Sequence, residues 1–543
     1  MTVLPSAEGA VDRRTLLRLA GLGAGAGVVA AATLPGTAAA ADAVFQHGVA
    51  SGDPLPGGIL LWTRVSGSDG PVTVSWQIAA DASFTSMVQS GTFATGPDRD
   101  HTVKVEVAGL APATTYWYRF GVAGVWSPTG RTMTAPAPDD AITRLRLGVV
   151  SCANWEAGYF AAYRHLADRG DLNLVVHLGD YLYEYGTGDF AAGGVVVRRT
   201  SPDHEVLTLD DYRTRHAHYK TDPDLQRLHA SVPWIITWDD HEVANDMWRD
   251  GAENHTPATE GSFADRKAAA RQAYTEWMPV RLGDDGQIFR RLRYGQLVEL
   301  SMLDLRTYRS RQSGGAAVDD PGRTITGTDQ MRWLADGLVA STATWKLVGN
   351  PVIISRLDLA TLPAWLLGPL ANLLGIPSNG IVVNADQWDG YNADRERLVD
   401  RLRATGTTDV VFLTGDIHTS WANELTTRDT GPANPAAAEF VVPSVTSDNI
   451  DDFLGTRPGG PLSVLAASLI RGTNPHVKWV ETDGHGFGVL EVTSSRCRMD
   501  WYHLADRTRR DTAARWVQGW SVGRGSSRIR RESAPAATTS DPR

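Results

Sequence analysis

Four short strings of residues able to bind metal ions stand far apart in the chain, and each closely follows an apolar run. They are Ser151-Cys152-Ala153-Asn154, Gly179-Asp180-Tyr181-Leu182-Tyr183, Asp239-Asp240-His241-Glu242 and Gly415-Asp416-Ile417-His418. Thiolate, phenolate, imidazole and carboxylate groups all bind metal ions in proteins. The four strings therefore predict a metal site, provided that the fold brings them together.

The apolar runs before these strings predict the strands that would position them. The runs cover 145–150, 172–178, 234–238 and 410–414, and they alternate with helical patterns, which is typical of α/β layers whose strands are covered on both faces. Ligands of open α/β sheets bind outside the carboxyl ends of the strands, where loops distant in sequence converge. Glycines before Asp180 and Asp416 let the chain turn sharply there. We expect the carboxylates to share one cleft.

Each residue taken alone has an ordinary structural explanation. Cys152 would be a small buried residue or half of a bridge to Cys497, the second of two cysteines. Asp180 or Asp416 would form a turn or cap a helix, and His418 would be a hydrogen-bonded core histidine. None of these explanations predicts that such residues recur after successive buried strands, so we favour the metal site.

Three segments are predicted in the mature chain. Short alternating apolar runs indicate a small β-sandwich over 42–138, and the string at 109–118 resembles a turn and strand of fibronectin type III modules. An α/β catalytic domain is expected over 139–521. The tail at 522–543 is rich in Gly, Ser, Arg and Pro, which predicts disorder.

The first 41 residues predict a twin-arginine signal peptide. Arg13 and Arg14 precede an Ala/Gly-rich apolar run at 15–34 and small residues at 37–41. The alternative, a membrane anchor, is disfavoured because the run is short and weakly apolar for a bilayer span. We expect the twin-arginine translocase to export the folded protein to an extracellular, periplasmic or cell-wall location. Export after folding suits a protein whose cofactor is loaded before export.

Length and composition exclude several classes of protein. With 543 residues, 42% hydrophobic and 21% charged, the chain is too long for one ordinary domain and too apolar to be disordered. A net charge of −10 gives no surface for nucleic acid. We find no convincing serine nucleophile elbow or P-loop lysine, so metals would have to supply the chemistry. A monomer is expected.

The full set of strings resembles the PhoD family of secreted alkaline phosphatases and phosphodiesterases. The string from Gly179 to Tyr183 is similar to the Gly-Asp-x-x-Tyr motif of purple acid phosphatases, in which aspartate bridges metals and tyrosinate binds iron(III). The resemblance also includes Gly48-Val49-Ala50-Ser51-Gly52-Asp53-Pro54, Leu61-Trp62-Thr63-Arg64 and Asp483-Gly484-His485-Gly486-Phe487. It implies an α/β metallophosphatase domain of stacked β-sheets flanked by helices, after the sandwich.

The resemblance also implies a centre of one iron(III) and calcium ions, and an alkaline phosphatase or phosphodiesterase activity. The implied metal ligands are Cys152, Asp180, Tyr183, Asp240, Asp416 and His418. Sulfur, phenolate and imidazole suit the iron, and the carboxylates suit calcium, with Asp180 as the bridge. Asn245 is carried over as a metal or phosphate contact.

In the expected mechanism, a small phosphate mono- or diester bridges the ions, and an ion-bound water, hydroxide or oxo group attacks phosphorus in line. No covalent enzyme intermediate is expected. His241 would orient phosphate or protonate the leaving group, or it would only support Asp240. Arg306 would be a phosphate clamp or, alternatively, part of a surface salt bridge.

Other functions stay open. The apolar run at 357–376 is either a covered insertion or a rim that admits phospholipid, as in phospholipase D relatives of the family, although it lacks the Lys and Arg of surface-lying membrane helices. A non-catalytic surface binding protein and an iron-binding protein without turnover are the alternatives of another class. Intact Asp180, Asp240, Asp416 and His418 argue against an inactive enzyme.

Overall fold

The structure is a computed structural model that describes residues 44–191, 195–283, 285–357, 385–426 and 434–538. The predicted export signal lies outside these residues, as does the apolar run at 357–376 apart from Leu357. In the described part of the chain, no helix is both long and apolar enough to cross a membrane.

The strands are, in chain order, β1 Val49–Leu55, β2 Gly58–Arg64, β3 Val72–Ala79, β4 Met87–Thr95, β5 Thr102–Ala108, β6 Thr115–Val122, β7 Val125–Trp126, β8 Gly130–Met133, β9 Arg144–Val150, β10 Leu174–His177, β11 Trp234–Ile236, β12 Arg290–Tyr294, β13 Val298–Met302, β14 Trp345–Asn350, β15 Val410–Thr414, β16 Ser420–Leu425, β17 Ala437–Val441, β18 Val477–Glu481, β19 Gly486–Thr493, β20 Arg496–Leu504, β21 Ala514–Gly523 and β22 Ile529–Glu532. The α-helices are α1 Ala161–Arg169, α2 Leu209–Tyr219, α3 Pro223–Ser231, α4 Pro257–Glu260, α5 Phe263–Trp277, α6 Thr328–Ala340, α7 Asn392–Ala404, α8 Ile450–Leu454 and α9 Pro461–Thr473. Short 3-10 helices span Pro97–Arg99, Gly315–Asp319 and Trp388–Tyr391.

Two large sheets stack face to face. One has ten strands in the order β22-β21-β20-β19-β9-β10-β11-β1-β2-β5, and the other has seven in the order β12-β13-β14-β15-β17-β16-β18. Their facing side chains form one buried apolar cluster that includes Leu147, Val176, Leu300 and Leu413. Helices cover the outer faces through two further apolar clusters. The predicted stacked sheets flanked by helices are confirmed.

Each strand that precedes one of the four metal-binding strings pairs in parallel with at least one neighbour. β9, β10 and β11 pair in parallel in the large sheet, and β14 and β15 do so in the other. β10, β11 and β15 are buried along their whole length, as their unbroken apolar runs require. Their carboxyl ends therefore leave each sheet at a common edge.

The N-terminal β-layer is joined to the catalytic sheet, which differs from the separate sandwich expected over 42–138. β3, β4, β6, β7 and β8 form a five-stranded sheet that shares an apolar cluster with residues of β1, β2 and β5. These last three strands belong to the ten-stranded sheet, where β1 pairs in parallel with β11 at Gly52 and Trp234. Period-two alternation reveals a strand but not its partner, so the sequence did not show this sharing.

The expectation of a disordered tail from 522 is wrong for residues 522–538. Ile529–Glu532 forms β22, which pairs antiparallel with β21, and the Ile529 side chain is buried. Arg498 adds a hydrogen bond to the carbonyl of Ala534. The edge strand β21 supplies the backbone partners that the polar composition of the tail could not predict.

His216 on α2 makes the fold sensitive to acid. Its ring is fully buried and stacks on Trp277 at 6.2 Å, and no described residue hydrogen-bonds either ring nitrogen. Burial, assisted by Lys220, lowers the pKa of His216 well below 6.5. In the unfolded chain His216 binds a proton near pH 6.5, whereas in the folded chain it stays neutral at that pH. The free energy of unfolding therefore falls as the pH drops below about 6.5.

We expect the His216→Phe variant to lose less stability on acidification than the wild type. The difference should approach about 1.4 kcal/mol per pH unit below pH ~6.5, because the variant has no imidazole to protonate on unfolding. The measurement is the midpoint of thermal unfolding from pH ~7 to ~5. Parallel curves for the two proteins would contradict the prediction.

Candidate metal centre

The four loops that carry the predicted ligands meet at the carboxyl ends of β9, β10, β11 and β15. Cys152 and Asp416 each lie two residues beyond their strand, and Asp180 lies three residues beyond β10. All of these side chains are buried apart from the partly buried Asp416. The site is therefore built on the ends of both sheets and not within one of them.

The backbone is strained where these loops leave the sheets. Cys152, Asp180, Asp246, Asp416 and His418 have φ angles of 59°, 55°, 52°, 68° and 58°, in the left-handed region that side chains other than glycine rarely adopt. Each such residue costs of order 1–3 kcal/mol, and such strain is concentrated at functional sites. The packed sheets hold the five residues in this conformation.

The two glycines noted in the sequence are required for close approach. A side chain at Gly179, whose φ is 112°, would bring its Cβ within 2.5 Å of the Cβ of Asp239. A Cβ at Gly415 would lie 2.2 Å from the Ser151 hydroxyl. Glycine at both positions lets loops from different strands come into contact, whereas the sequence had predicted a sharp turn at each, and only Gly179 has a left-handed φ.

The structure brings together all six residues predicted to bind metal. Ligand atoms of Cys152, Asp180 and His418 lie within 4.8 Å of one another, and so do those of Asp239, Asp240 and Asp416. A third such group, Asp180, Asp240 and His241, shares members with both. The Tyr183 hydroxyl lies 3.3 Å from Asp180 Oδ2 and 3.3 Å from His418 Nε2.

The sulfur and phenol groups at one end of the cluster are protonated unless a cation is near. Burial and the Asp180 carboxylate raise the pKa of the Cys152 thiol and of the Tyr183 phenol well above their usual values. Both cysteines are free, so the alternative of a bridge between Cys152 and Cys497 is wrong. A coordinated metal ion is the group that deprotonates a buried thiol outright.

The buried carboxylates of the cluster outnumber the two arginines beside them, Arg306 and Arg309, so they do not all ionise together. Burial, followed by neighbouring carboxylates, raises the pKa of Asp180 well above its usual range despite His241. Burial and Asp386 raise the pKa of Asp416 to about 6. Asp180 Oδ1 is buried without a hydrogen-bond partner among the described residues. Oxygen atoms so placed fit a multivalent cation, so the donor set suits metal ions.

Arg306 is fully buried among these carboxylates, so the alternative of a surface salt bridge is wrong. Its guanidinium donates to both oxygens of Asp239, with Nη2 2.8 Å from Oδ2, and Nη1 is 3.0 Å from Asp386 Oδ1. Asp240 Oδ2 lies 3.4 Å from Nη1. The loop after β13 places Arg306 so that it neutralises and orients the cluster, and its role as a phosphate clamp stays a prediction.

His241 is held by Glu184. The ring Nδ1 lies 2.7 Å from Glu184 Oε2, while Glu184 Oε1 accepts from the backbone N–H of Asn245 at 2.6 Å and from Asn254 Nδ2 at 2.9 Å. Burial lowers the pKa of His241, but Glu184, Asp240 and Asp180 together raise it well above 6.5. Hydrogen bonding of Nδ1 fixes the ring and leaves Nε2 for a contact at the cluster.

The Asn245 side chain, expected to contact a metal ion or phosphate, is hydrogen-bonded to a residue outside the cluster. Its side-chain amide donates to Glu253 Oε2 at 3.2 Å, on the exposed side of the loop. The role of its amide at the centre stays a prediction.

Sequence reasoning did not select several residues of this site. Asp246 and Asp386 form another group with Asp240 within 4.8 Å, and Gln387 Nε2 donates to Asp416 Oδ2 at 2.8 Å. Asp246, only six residues after Asp240, could have been found by searching the same loop. Asp386 and Gln387 follow none of the apolar runs from which strands were predicted, so the pattern that selected the other ligands did not select them.

Glu242 fastens two of the loops together. Its Oε2 accepts from the backbone N–H groups of Asp239 at 2.7 Å and Asp180 at 3.1 Å, and its Oε1 accepts from that of Tyr181 at 2.6 Å. Three backbone donors on one buried carboxylate fix the direction in which the Asp180 side chain leaves the sheet.

Comparison with known proteins gives consistent matches over most of the chain. The family model described as PhoD-like phosphatase matches residues 147–501, and that of the PhoD-like phosphatase N-terminal domain matches residues 29–136. Alkaline phosphatase D of Bacillus subtilis (strain 168) is 36% identical over 480 residues, which are 84% of this chain and 77% of that protein. A solved structure titled "Structure of PhoD" has a TM-score of 0.80 and 32% identity, covering 91% of this chain and 93% of the other.

The Glu242→Gln variant should unfold at a lower temperature than the wild type. A glutamine amide can accept at only one end, so at least one of the three backbone N–H groups loses its acceptor, at a cost of about 1–3 kcal/mol. Glu253→Gln, on the exposed side of the loop, is the matched control and should leave the unfolding temperature near that of the wild type. Equal unfolding temperatures for the two variants would refute this role of Glu242.

Proposed function

Because the chain belongs to the PhoD-like phosphatase family and is a metal-dependent hydrolase of phosphate esters, we propose which of its residues hold the metal ions and take part in the reaction. The proposal rests on one observation above all. Cys152, Asp180, Tyr183 and His418 form one end of a buried cluster, and the possible metal ligands at its other end are all carboxylates.

Iron(III) binds at the mixed end of the cluster and calcium at the carboxylate end. Sulfur, phenolate and imidazole donors suit a transition metal, so Cys152, Tyr183 and His418 hold the iron with Asp180. Hard carboxylate oxygens suit calcium, so Asp240 and Asp416, with the adjacent Asp239, would bind calcium. Asp180 shares one group with Cys152 and another with Asp240, which supports it as the bridge.

The residues around the cluster bind and orient the ester. Bound ions supply Lewis acidity to the phosphate oxygens and lower the pKa of the attacking water. His241, fixed by Glu184, presents Nε2 to a phosphate oxygen or to the leaving group. Arg306 holds Asp239 and Asp386 in place, so that the carboxylates keep their geometry while substrate charge enters the site.

The substrates are small phosphate mono- or diesters, and the protein acts outside the cytoplasm after export by the twin-arginine translocase. The pair Arg13-Arg14 and the Ala/Gly-rich run behind it support this route. Buried ligands such as Cys152 and His418 also support it, because a site built from both sheets has to fold around its metals before export.

We expect Asp180→Ala to reduce kcat by at least about a thousandfold, because the ions at the two ends of the cluster lose their common ligand. Circular dichroism should show an intact fold. The matched control is Asp329→Ala, an exposed aspartate in the first turn of α6, which should keep wild-type turnover. Wild-type activity in a folded Asp180→Ala variant would defeat the mechanism.

Protein purified without chelator should contain iron and calcium by elemental analysis and should absorb in the visible range. Tyrosinate-to-iron(III) charge transfer contributes to this absorption, so Tyr183→Phe should lose the tyrosinate band, while Cys152 and His418 retain measurable iron. Tyr185→Phe is the control and should keep the colour. An active, colourless, iron-free wild type would require a different set of metals.

A further inference from the structure

Tyr185 and Phe190 form a partly exposed aromatic pair beside the metal centre. Their rings stack with centroids 4.9 Å apart and planes 16° apart. The two side chains keep part of their surface exposed, whereas Tyr183 and His241 behind them are buried. Stacked rings that remain accessible next to a buried catalytic cluster form part of its rim.

The pair lies within aromatic stacking distance of Tyr183 and His241. The Phe190 centroid is 5.3 Å from that of His241 and 5.4 Å from that of Tyr183, and the Tyr185 centroid is 5.8 Å from that of His241. Aromatic rings interact favourably at centroid distances of 4.5–7 Å. A ring attached to the ester oxygen of a phosphate held near His241 is therefore within stacking distance of the pair.

The loop that carries Phe190 is fastened at several points. Gly188 N–H donates to Glu156 Oε2 at 2.8 Å, and Val197 N–H donates to the Glu156 carbonyl at 2.7 Å. The hydroxyls of Thr187 and Thr200 lie 2.9 Å apart. A surface held in this way before substrate arrives loses little conformational entropy on binding.

The surroundings of the pair are acidic. Asp189 and Glu253 are exposed nearby, and besides burial the carboxylates of Glu184 and Glu253 raise the pKa of the Tyr185 phenol. These carboxylates would repel an anionic leaving group, whereas they would not weaken the binding of an uncharged ring.

From this juxtaposition we propose that Tyr185 and Phe190 are a stacking platform for the leaving group, which makes the enzyme selective for phosphate esters of uncharged, planar aromatic alcohols. The inference rests on the proposed function, because it requires the ester to bind at the cluster beside His241. It adds the chemical class of the leaving group, which the metal ligands alone do not specify.

The test compares phenyl phosphate with cyclohexyl phosphate, two esters of similar size of which only the first has a planar aromatic ring. The quantity is the ratio of kcat/KM for the two esters. In Phe190→Leu this ratio should fall about 2- to 13-fold, since an aromatic contact contributes about 0.5–1.5 kcal/mol. The loss should come through KM for phenyl phosphate, because stacking away from phosphorus acts on ground and transition states alike.

Three further variants make the test specific. Phe190→Tyr should keep the wild-type ratio, and Tyr185→Leu should lower it as Phe190→Leu does. Phe289→Leu removes a partly buried ring that contacts Tyr308 and Trp333, and it should leave the ratio unchanged. An unchanged ratio in folded Phe190→Leu and Tyr185→Leu would overturn the platform. Failure of the proposed function is distinct, because folded Asp180→Ala would then hydrolyse phenyl phosphate as fast as the wild type.

Discussion

Repulsion among buried carboxylates is the constraint on which this structure depends. Asp239, Asp240, Asp386 and Asp416 lie in overlapping groups, and Arg306 runs into their midst with its side chain fully buried. Charges interact more strongly in such an interior than in water, so uncompensated carboxylates would be held protonated. Burial first, and then the neighbouring carboxylates, raise the pKa values of Asp180 and Asp416, and multivalent cations are the partners that such a cluster fits.

The two stacked sheets provide the rigidity that such a cluster needs. Strands buried on both faces pack against the facing sheet on one side and against helices on the other, so a change of register would disrupt close packing on both sides. Loops that leave their ends can therefore hold Cys152, Asp180 and His418 in left-handed conformations that would relax on a looser support. Glu242 and Glu184 extend this rigidity to the side chains, because each carboxylate accepts several hydrogen bonds from neighbouring loops. The site is thus preorganised for charge before an ester arrives.

The parts of the fold that could be predicted are those that local sequence encodes. Unbroken apolar runs identified β9, β10, β11 and β15, since only a strand covered on both faces tolerates them. The parts that could not be predicted depend on pairing between distant segments. β1 joins the catalytic sheet by pairing in parallel with β11, and β22 is ordered by pairing with the edge strand β21, although neither strand carries a local sign of its partner.

The sequence by itself determined the kinds of donor at the centre and the strand ends from which most of them project. Residue type sets ligand chemistry, and hydrophobic period sets secondary structure, so both can be predicted from short windows. Tertiary structure alone decided that Asp386 and Gln387 reach the cluster, that Arg306 is buried within it, and that Phe190 lies against His241. These contacts depend on how the two sheets and their long loops pack in three dimensions. The separation of two residues along the chain does not give the distance between them in the folded protein.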